Sequence, residues 1–154
     1  MMLVIRDMDV SRRCYQEVMR QDVFVDLQTY VEFKRFCLMT EEQWCEFQTV
    51  GDLVCCYGNN VCQLSFEEED LDGYLEYFGR FPGIEVQRQL HEYEWGQRSL
   101  RFYDPDRHII EVCEAMTTVA KRFLRSGLSI EETSQRMMYP REFVQDCHDE
   151  LSEE

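Results

Sequence analysis

The stretch RFYDPDRHIIEV, residues 101–112, places one acid, Glu111, inside an apolar run that follows a polar turn. A buried carboxylate without a partner is costly, so Glu111 either has a partner or faces a cavity. If DPDRH is the turn of a hairpin, side-chain alternation puts Arg101 opposite Glu111 on one face, with Tyr103 opposite Ile109. The two charges then form either a cross-strand ion pair or a charged cavity floor, where Arg101 holds a substrate carboxylate or phosphate.

A second set of polar side chains alternates along the apolar stretch NVCQLSFE, residues 60–67. Gln63, Ser65 and Glu67 would share one face of a strand there, with Leu64 on the other face. The side-chain carbonyl of Gln63 can ligate a cation or orient a substrate. The acids from Glu67 onward suit the positive end of a following helix.

Five further side chains are candidates that also have a plain structural explanation. Trp44 and Trp95 flank predicted strands, and they are either core aromatics or an apolar wall over a ligand. Arg6 ends the first predicted strand, either as a solvated rim charge or as a cation of a binding site. His91 and His108 are either hydrogen-bonded structural residues or acid–base groups. The sequence contains no Ser-His-Asp spacing, nucleophile elbow or phosphate-binding glycine loop.

The order of predicted elements repeats along the chain. Alternating β-branched and aromatic residues predict strands, and apolar residues three and four apart predict helices. The predicted elements are strand 3–6, helix 10–19 and strands 23–27, 30–33 and 36–40, then strand 60–67, helix 70–81 and strands 84–93, 98–103 and 108–114. This repeat predicts an α+β fold of two βαβββ modules, with a short helical turn after Thr40 and a connector over residues 48–59.

Residues 116–154 predict three short helices appended to the modules. Gly127 suits a left-handed C-cap, Ser129 and Glu132 form a capping box, and Pro140 fits the first turn of a helix. The last helix, PREFVQDCHDEL, carries one Arg and four acids, which opposes docking in a DNA groove. We therefore expect this extension to pack on the sheet or on a second subunit.

Charge and hydropathy argue against two classes of partner. The net charge of −15 opposes binding to phosphate backbones, so no nucleic-acid partner is expected. The chain has no run of ~18 apolar residues, and its N-terminus lacks a basic segment followed by an apolar one, so neither a membrane span nor a secretory signal is expected. We therefore expect a cytoplasmic protein whose eight cysteines are reduced, mostly buried thiols.

Two segments resemble the vicinal-oxygen-chelate superfamily, which includes glyoxalase I, bleomycin-resistance proteins, fosfomycin-resistance transferases and extradiol dioxygenases. IRDMDVSRRCYQEVM, with Asp7, Ser11 and Tyr15, resembles its opening strand and helix. WGQRSLRFYDPDRHIIEV resembles its closing hairpin, in which Asp-Pro-Asp precedes an apolar-Glu-apolar strand. The resemblance covers residues 3–115. It implies a mixed sheet curled around a cavity in a glyoxalase-like domain over 1–115, with modules 1–47 and 60–115 and a helical extension over 116–154.

The resemblance also implies a metal site with ligands on the first and last strand of each module. Glu111 matches the last of these positions, and Gln63 occupies one that is usually His. The His of the first strand would fall before Met1, and FCLMT on the fourth strand contains no carboxylate or imidazole. A divalent Zn, Ni, Fe or Mn ion would thus be held by Glu111 and Gln63, fewer protein ligands than the three or so of a catalytic metal, unless a partner chain completes the site.

Two functions follow from the resemblance. The first is a metal-dependent lyase, isomerase or dioxygenase acting on an unknown small molecule, with Glu111 as ligand or base. The second is a non-catalytic drug-binding or resistance-type protein with an aromatic-walled pocket, usually between the chains of a homodimer. In both cases the substrate-binding residues are expected to be Arg101, Gln63, Trp95, Trp44, Arg6 and Tyr103.

Overall fold

The computed structural model describes residues 1–48 and 54–153. The first half contains β1 (Met2–Ile5), α1 (Met8–Arg13), β2 (Val23–Asp26), β3 (Tyr30–Phe33), β4 (Cys37–Thr40) and α2 (Glu41–Phe47). The second half contains β5 (Gln63–Glu68), α3 (Leu71–Phe78), β6 (Val86–Glu92), β7 (Arg98–Tyr103) and β8 (Ile109–Glu114). Three helices follow, α4 (Met116–Arg125), α5 (Ile130–Met137) and α6 (Arg141–Glu153).

The strands form two four-stranded mixed sheets with the same internal order. The first sheet is ordered β1-β4-β3-β2 and the second β5-β8-β7-β6. In the first sheet β1 runs parallel to β4, with Leu3 opposite Leu38, and β3 runs antiparallel to both of its neighbours. The repeated order confirms the predicted α+β class, the two βαβββ modules and the C-terminal helical region.

The chain divides into two compact units. The first consists of Met1–Gln63, Phe81–Glu85 and Tyr103–Ile109, and the second of Leu64–Arg80, Val86–Phe102 and Ile110–Glu154. No helix within residues 1–48 and 54–153 is long and apolar enough to cross a membrane.

Aromatic side chains form the centre of the first unit. Tyr15, Phe33 and Phe36 are at most 5 % exposed, and their ring centroids lie 4.7 to 5.9 Å apart. Ile5 and Leu38, on the paired strands β1 and β4, are fully buried. Burial of these apolar surfaces is the main favourable contribution to folding of the unit.

Buried polar contacts tie α1 to the turn between β7 and β8. Ser11 Oγ donates a hydrogen bond to Asp106 Oδ2 at 3.3 Å, and Tyr15 OH donates to Asp104 Oδ2 at 2.9 Å. The backbone N–H of Arg6 also donates to Asp106 Oδ2, at 3.0 Å. Burial, with the nearby Asp104 charge, raises the pKa of Asp106 above its ordinary value, although the Arg6 N–H opposes this shift. The side chains that carry the sequence resemblance therefore hold the closing hairpin in place.

Several element boundaries differ from the sequence prediction. The first helix ends as an α-helix at Arg13 and continues as a π-helical turn over Cys14–Val18. Strand β5 begins at Gln63 rather than at residue 60, because Asn60 has a positive φ of 56° that a strand does not accommodate. The third helix ends at Phe78, three residues before the predicted end. Part of the predicted connector, residues 49–53, lies outside the described residues.

The C-terminal helices have a core of their own, formed by six buried residues: Met116, Val119, Ala120, Met137, Val144 and Cys147. The predicted capping box is present, because Ser129 Oγ accepts from the Glu132 N–H while the Glu132 carboxylate accepts from the Ser129 N–H. Gly127 has the positive φ, 96°, expected of a residue just after a helix.

A buried carboxylate joins these helices to the second sheet. Glu114, at the end of β8, is 1 % exposed and accepts hydrogen bonds from Arg98 on β7 at 3.1 and 3.3 Å. Arg122 on α4 donates to the same carboxylate at 3.0 Å. Arg98 also donates to Asp72 on α3. The sheet, α3 and α4 therefore share one charged network.

Candidate functional site

Glu111 lies in the middle of β8, and its strand neighbours are fully buried on the opposite face. Glu111 itself is 8 % exposed. Its Oε2 atom accepts a hydrogen bond from Ser65 Oγ at 3.0 Å. Its Oε1 atom accepts from Tyr93 OH and from Ser99 Oγ, each at 3.3 Å. The carboxylate is thus surrounded by donors from β5, β7 and the end of β6, as a buried charge requires.

Arg101 on β7 completes this arrangement, which we call the Glu111 cluster (Glu111, Arg101, Ser65, Tyr93 and Ser99). Arg101 Nε donates to Glu111 Oε1 at 2.9 Å, and Nη2 lies 2.8 Å from the same oxygen. Nη2 also donates to Tyr93 OH at 2.8 Å. The ion pair expected from strand alternation is therefore present. The side chains of Arg101 and Glu111 are 25 % and 11 % exposed, so water screens their attraction only in part.

The Glu111 cluster combines a neutralised acid with a partly available cation. Within residues 1–48 and 54–153, Arg101 Nη1 has no acceptor, whereas Nε and Nη2 are both engaged. Because the Glu111 and Tyr93 contacts fix the plane of the guanidinium, Nη1 is a preorganised donor. A planar guanidinium in a partly dry setting is well suited to a carboxylate or phosphate oxygen.

Aromatic rings extend from the cluster. The rings of Tyr93 and Trp95 are parallel within 4°, with centroids 4.3 Å apart, and His91 meets Tyr93 edge-on at 5.0 Å. Trp95 Nε1 donates to Gln97 Oε1 at 3.2 Å, which satisfies its polar atom. Trp95, for which the sequence offered either a core aromatic or an apolar wall over a ligand, therefore contacts the cluster through Tyr93 and also packs against the core of the C-terminal helices.

The residues present do not fit the divalent metal that the sequence resemblance implied. In the part of the chain that the structure describes, no group of three His, Cys, Asp or Glu side chains is placed to hold a metal ion. Both oxygens of Glu111 already accept from protein donors, and one of these is a guanidinium that would repel a cation. Gln63 is half-buried at the first residue of β5 and adds no charge.

Three other predicted site residues belong to the first unit. The guanidinium of Arg6 lies 4.0 Å from the ring centroid of Tyr57. Tyr103 OH donates to Asn60 Oδ1 at 3.1 Å. Trp44 is half-buried in α2. The contacts described for Arg6 and Tyr103 are made within the first unit.

His108 is held by the hairpin turn. Its Nδ1 atom lies 2.8 Å from Asp104 Oδ2, and its backbone N–H donates to Asp104 Oδ1 at 2.8 Å. Its ring meets Tyr57 edge-on at 6.2 Å. These contacts match the hydrogen-bonded structural role that the sequence offered for His108.

Sequence reasoning missed two members of the Glu111 cluster, Tyr93 and Ser99. Ser99 could have been found, because it lies two residues before Arg101 on β7 and therefore on the same face. No spacing in the sequence places Tyr93 on the face of Arg101 or Glu111. Tyr93 follows β6, whose pairing with β7 shifts register twice, between Val86 and Arg88 and between Arg88 and His91.

The family comparison covers most of the chain. A model of the glyoxalase-like domain family matches residues 1–117. A search of curated proteins gave no match.

Solved structures with a similar fold come from several bacteria. A protein of unknown function from Agrobacterium tumefaciens str. C58 is 29 % identical, with 75 % of this chain and 90 % of that chain covered and a TM-score of 0.68. A glyoxalase/bleomycin resistance protein/dioxygenase from Nocardioides is 19 % identical, with 74 % of this chain and 80 % of that chain covered and a TM-score of 0.60. Lactoylglutathione lyase from Agrobacterium tumefaciens is 20 % identical, with 75 % of this chain and 91 % of that chain covered and a TM-score of 0.59. The last two likenesses show the fold alone.

Proposed function

The chain belongs to the glyoxalase-like domain family, and from this premise we propose that it binds a small organic anion at the Glu111 cluster. In this proposal the guanidinium of Arg101, rather than a divalent metal, supplies the positive charge that meets the ligand. The ligand class is a short keto acid or a phosphonate, whose oxygens accept from Arg101 Nη1.

The observation that carries the proposal is the double contact of Arg101 with Glu111 Oε1, at 2.9 and 2.8 Å. This contact places a cation on the carboxylate that relatives in the superfamily are expected to use for a metal. It also orients the guanidinium, so little side-chain entropy remains to be lost when a ligand binds. Tyr93 and Ser99, which hydrogen-bond to Oε1, hold the acid in place.

The stacked rings of Tyr93 and Trp95 extend from this donor, and Trp95 also packs against the core of the C-terminal helices. Small-molecule sites combine aromatic surfaces with a few fixed polar groups, and the Glu111 cluster brings these two elements together. Roles for Gln63, Trp44, Arg6 and Tyr103 in ligand binding, and assembly into a homodimer, stay predictions.

A metal-dependent lyase is the second candidate. It is favoured by the position of Glu111 on the last strand of the second module and by the likeness of fold to a lactoylglutathione lyase. It requires that Arg101 leave Glu111 and that further ligands come from elsewhere. Metal content therefore separates the two candidates.

Thermal-shift titration with pyruvate, 2-oxoglutarate and fosfomycin, in excess EDTA, tests the proposal. At least one of these anions is expected to raise the Tm, while neutral acetone is not. Arg101→Gln should abolish the shift. Arg12→Gln is the matched control, because Arg12 is a surface cation paired with Asp9 and Asp26. A Tm rise that needs added metal, or that persists in Arg101→Gln, contradicts the proposal.

A further inference from the structure

Arg88 and Arg101 lie opposite each other on the neighbouring antiparallel strands β6 and β7. Residues paired in this way point to the same face of the sheet, with Cβ atoms about 4.5–5.5 Å apart. Arg101 belongs to the Glu111 cluster, whereas the function proposed above gives no role to Arg88. The register therefore brings a second guanidinium to the cluster.

Tyr93 contacts both guanidinium groups. Its OH group accepts a hydrogen bond from Arg101 Nη2 at 2.8 Å, and the guanidinium carbon of Arg88 lies 5.8 Å from its ring centroid. A cation at that distance from an aromatic face is attracted to the ring. This shared contact places Arg88 beside the Glu111 cluster, although the strand pairing shifts register on either side of Arg88.

The two arginines differ in how their charge is balanced. Arg101 is neutralised by Glu111, whose Oε1 atom lies within hydrogen-bond distance of two of its nitrogen atoms. Arg88 is exposed and forms no ion pair within residues 1–48 and 54–153. Like charges directly opposite each other are unfavourable for a sheet, so an anion held between the two guanidiniums would relieve a repulsion that the fold itself leaves in place.

The nearest acids along the chain do not neutralise Arg88. Glu85, before it, accepts hydrogen bonds from both Nη atoms of Arg107. Glu92, after it, lies opposite Arg98 on β7, one residue from a position that faces the cluster and therefore on the other face of the sheet. The residues between Glu85 and Glu92 include no acid.

Glu67, a second acid on the face of the Glu111 cluster, is too far away to cancel this charge. It shares the face of Ser65 on β5, and β5 and β6 are the two outer strands of the sheet. Three strand spacings separate these strands, which is roughly 14 Å. This distance exceeds the screening length of about 8 Å at physiological ionic strength. With Glu111 as their acidic neighbour, Arg88 and Arg101 therefore keep an excess of one positive charge.

We infer that the Glu111 cluster selects a singly charged carboxylate and holds it between Arg88 and Arg101. The inference rests on the proposed function and narrows its ligand class to monocarboxylates such as short keto acids. One carboxylate oxygen accepts from Arg101 Nη1 and the other from the guanidinium of Arg88, which supplies the net positive charge of the site. A second negative charge on the ligand would have no cation to meet and would be repelled by Glu111.

Isothermal titration calorimetry at about pH 8 with pyruvate, methyl acetylphosphonate and acetylphosphonate tests the inference. The two phosphonates share a tetrahedral head, but the methyl ester carries one negative charge and the free acid carries two at this pH. Wild type is expected to bind pyruvate and the ester, and to bind acetylphosphonate less tightly. Arg88→Gln should weaken the binding of pyruvate about tenfold, at the lower end for a hydrogen bond to a charged group because Arg88 is exposed.

Arg80→Gln is the matched control for Arg88→Gln. Arg80 is also exposed, and its guanidinium carbon lies 5.4 Å from the ring centroid of Tyr77, but it follows α3 and is not part of the sheet. Its replacement removes the same charge from the chain and should leave all three affinities unchanged. Glu111→Gln leaves the two arginines without their acidic neighbour and should make acetylphosphonate the tighter of the two phosphonates.

Three sets of results would count against the inference. Arg88→Gln that binds pyruvate as well as wild type, while Arg101→Gln loses binding, overturns the inference and leaves the proposed function standing. Wild type that prefers acetylphosphonate to its ester, or folded Glu111→Gln that keeps the preference of wild type, overturns selection by charge. Wild type that binds none of the three ligands, or Arg101→Gln that binds as well as wild type, contradicts the proposed function and the inference with it.

Discussion

Arg101 Nε and Nη2 lie 2.9 and 2.8 Å from one and the same oxygen of Glu111. The two residues lie on neighbouring strands, and the pair is largely shielded from water. A cation in this position does what a metal would otherwise do for the carboxylate, because it neutralises the charge and fixes its orientation. We therefore expect the stability of the second unit and, under the proposed function, its ligand preference to depend on the same pair.

Breaking this pair should cost stability. Arg101→Leu leaves Glu111 as a buried acid without its cation, and we expect a loss of about 2 kcal/mol in the free energy of unfolding. This is below the ~3–5 kcal/mol of a fully buried pair, because Arg101 is partly exposed. Urea unfolding measures the change, and the double variant Arg101→Leu/Glu111→Leu should recover most of it. A double variant less stable than the single one would show that the charge is not the cause.

Stability should also depend on the charged network around Glu114. Glu114→Gln removes the buried charge that Arg98 and Arg122 share, although Arg98 keeps Asp72 and Arg122 keeps Glu92 at 3.7 Å. We expect a loss of about 2 kcal/mol in the free energy of unfolding, below the ~3–5 kcal/mol of a fully buried pair because both arginines are partly exposed. Arg141→Gln is the surface control, because its contact with Glu131 spans 3.9 Å between exposed side chains. That change should cost less than about 1 kcal/mol. Equal urea midpoints for the two variants would contradict the role of Glu114.

The turn between β6 and β7 should not accept a side chain at Gly96. Its φ is +88°, and a Cβ there would overlap the ring of Phe123 on α4. We expect Gly96→Ala to lower the free energy of unfolding by about 3 kcal/mol, from backbone strain and from the displaced ring. Phe123→Ala in the same background should relieve part of the loss. Gly83→Ala, at an open position, should change stability by less than about 1 kcal/mol.

Thiol reactivity should separate the cysteines into two classes. Burial raises the pKa of Cys14 and of Cys113 to about 12, with nearby carboxylates adding to the shift. At pH 8 about one in ten thousand of these thiols is ionised, and the thiolate is the reactive form. Mass spectrometry after timed iodoacetamide treatment should show the exposed Cys56 and Cys62 modified first. The modification rates of Cys14 and Cys113 should rise about tenfold per pH unit between pH 8 and 10. Rapid modification of these two thiols at pH 8 would contradict their raised pKa.

The sequence predicted the strands that surround Glu111 well. Alternation in RSLRFY and HIIEVCE places β7 and β8 within one residue of their observed bounds, and with them the Arg101–Glu111 pair. The same alternation indicated that Ser65 shares the face of Gln63. The sequence predicts these strands accurately because a one-residue shift in register would move every apolar side chain out of the core.

Other features depend on contacts that local pattern does not encode. The π-helical turn over Cys14–Val18 is one such feature. The register shifts of β6 are another, and Tyr93, which follows β6, joins the cluster without a sequence signal. An open groove of about 630 Å³ in the first unit is lined by three segments that are distant in sequence, residues 10–18, 81–85 and 103–107. The donors around Glu111 come from three segments, β5, β7 and the residue after β6, so the sequence of β8 alone could not predict them.

Elemental analysis of protein purified without chelator tests the central claim most directly. We expect Zn, Ni, Fe and Mn well below one equivalent per chain, with the same content in wild type and Glu111→Gln. Incubation with each metal, followed by desalting, should not change this result or the Tm. One equivalent of a metal that is retained by wild type and lost in Glu111→Gln would contradict the assignment of Arg101 as the cation of the site.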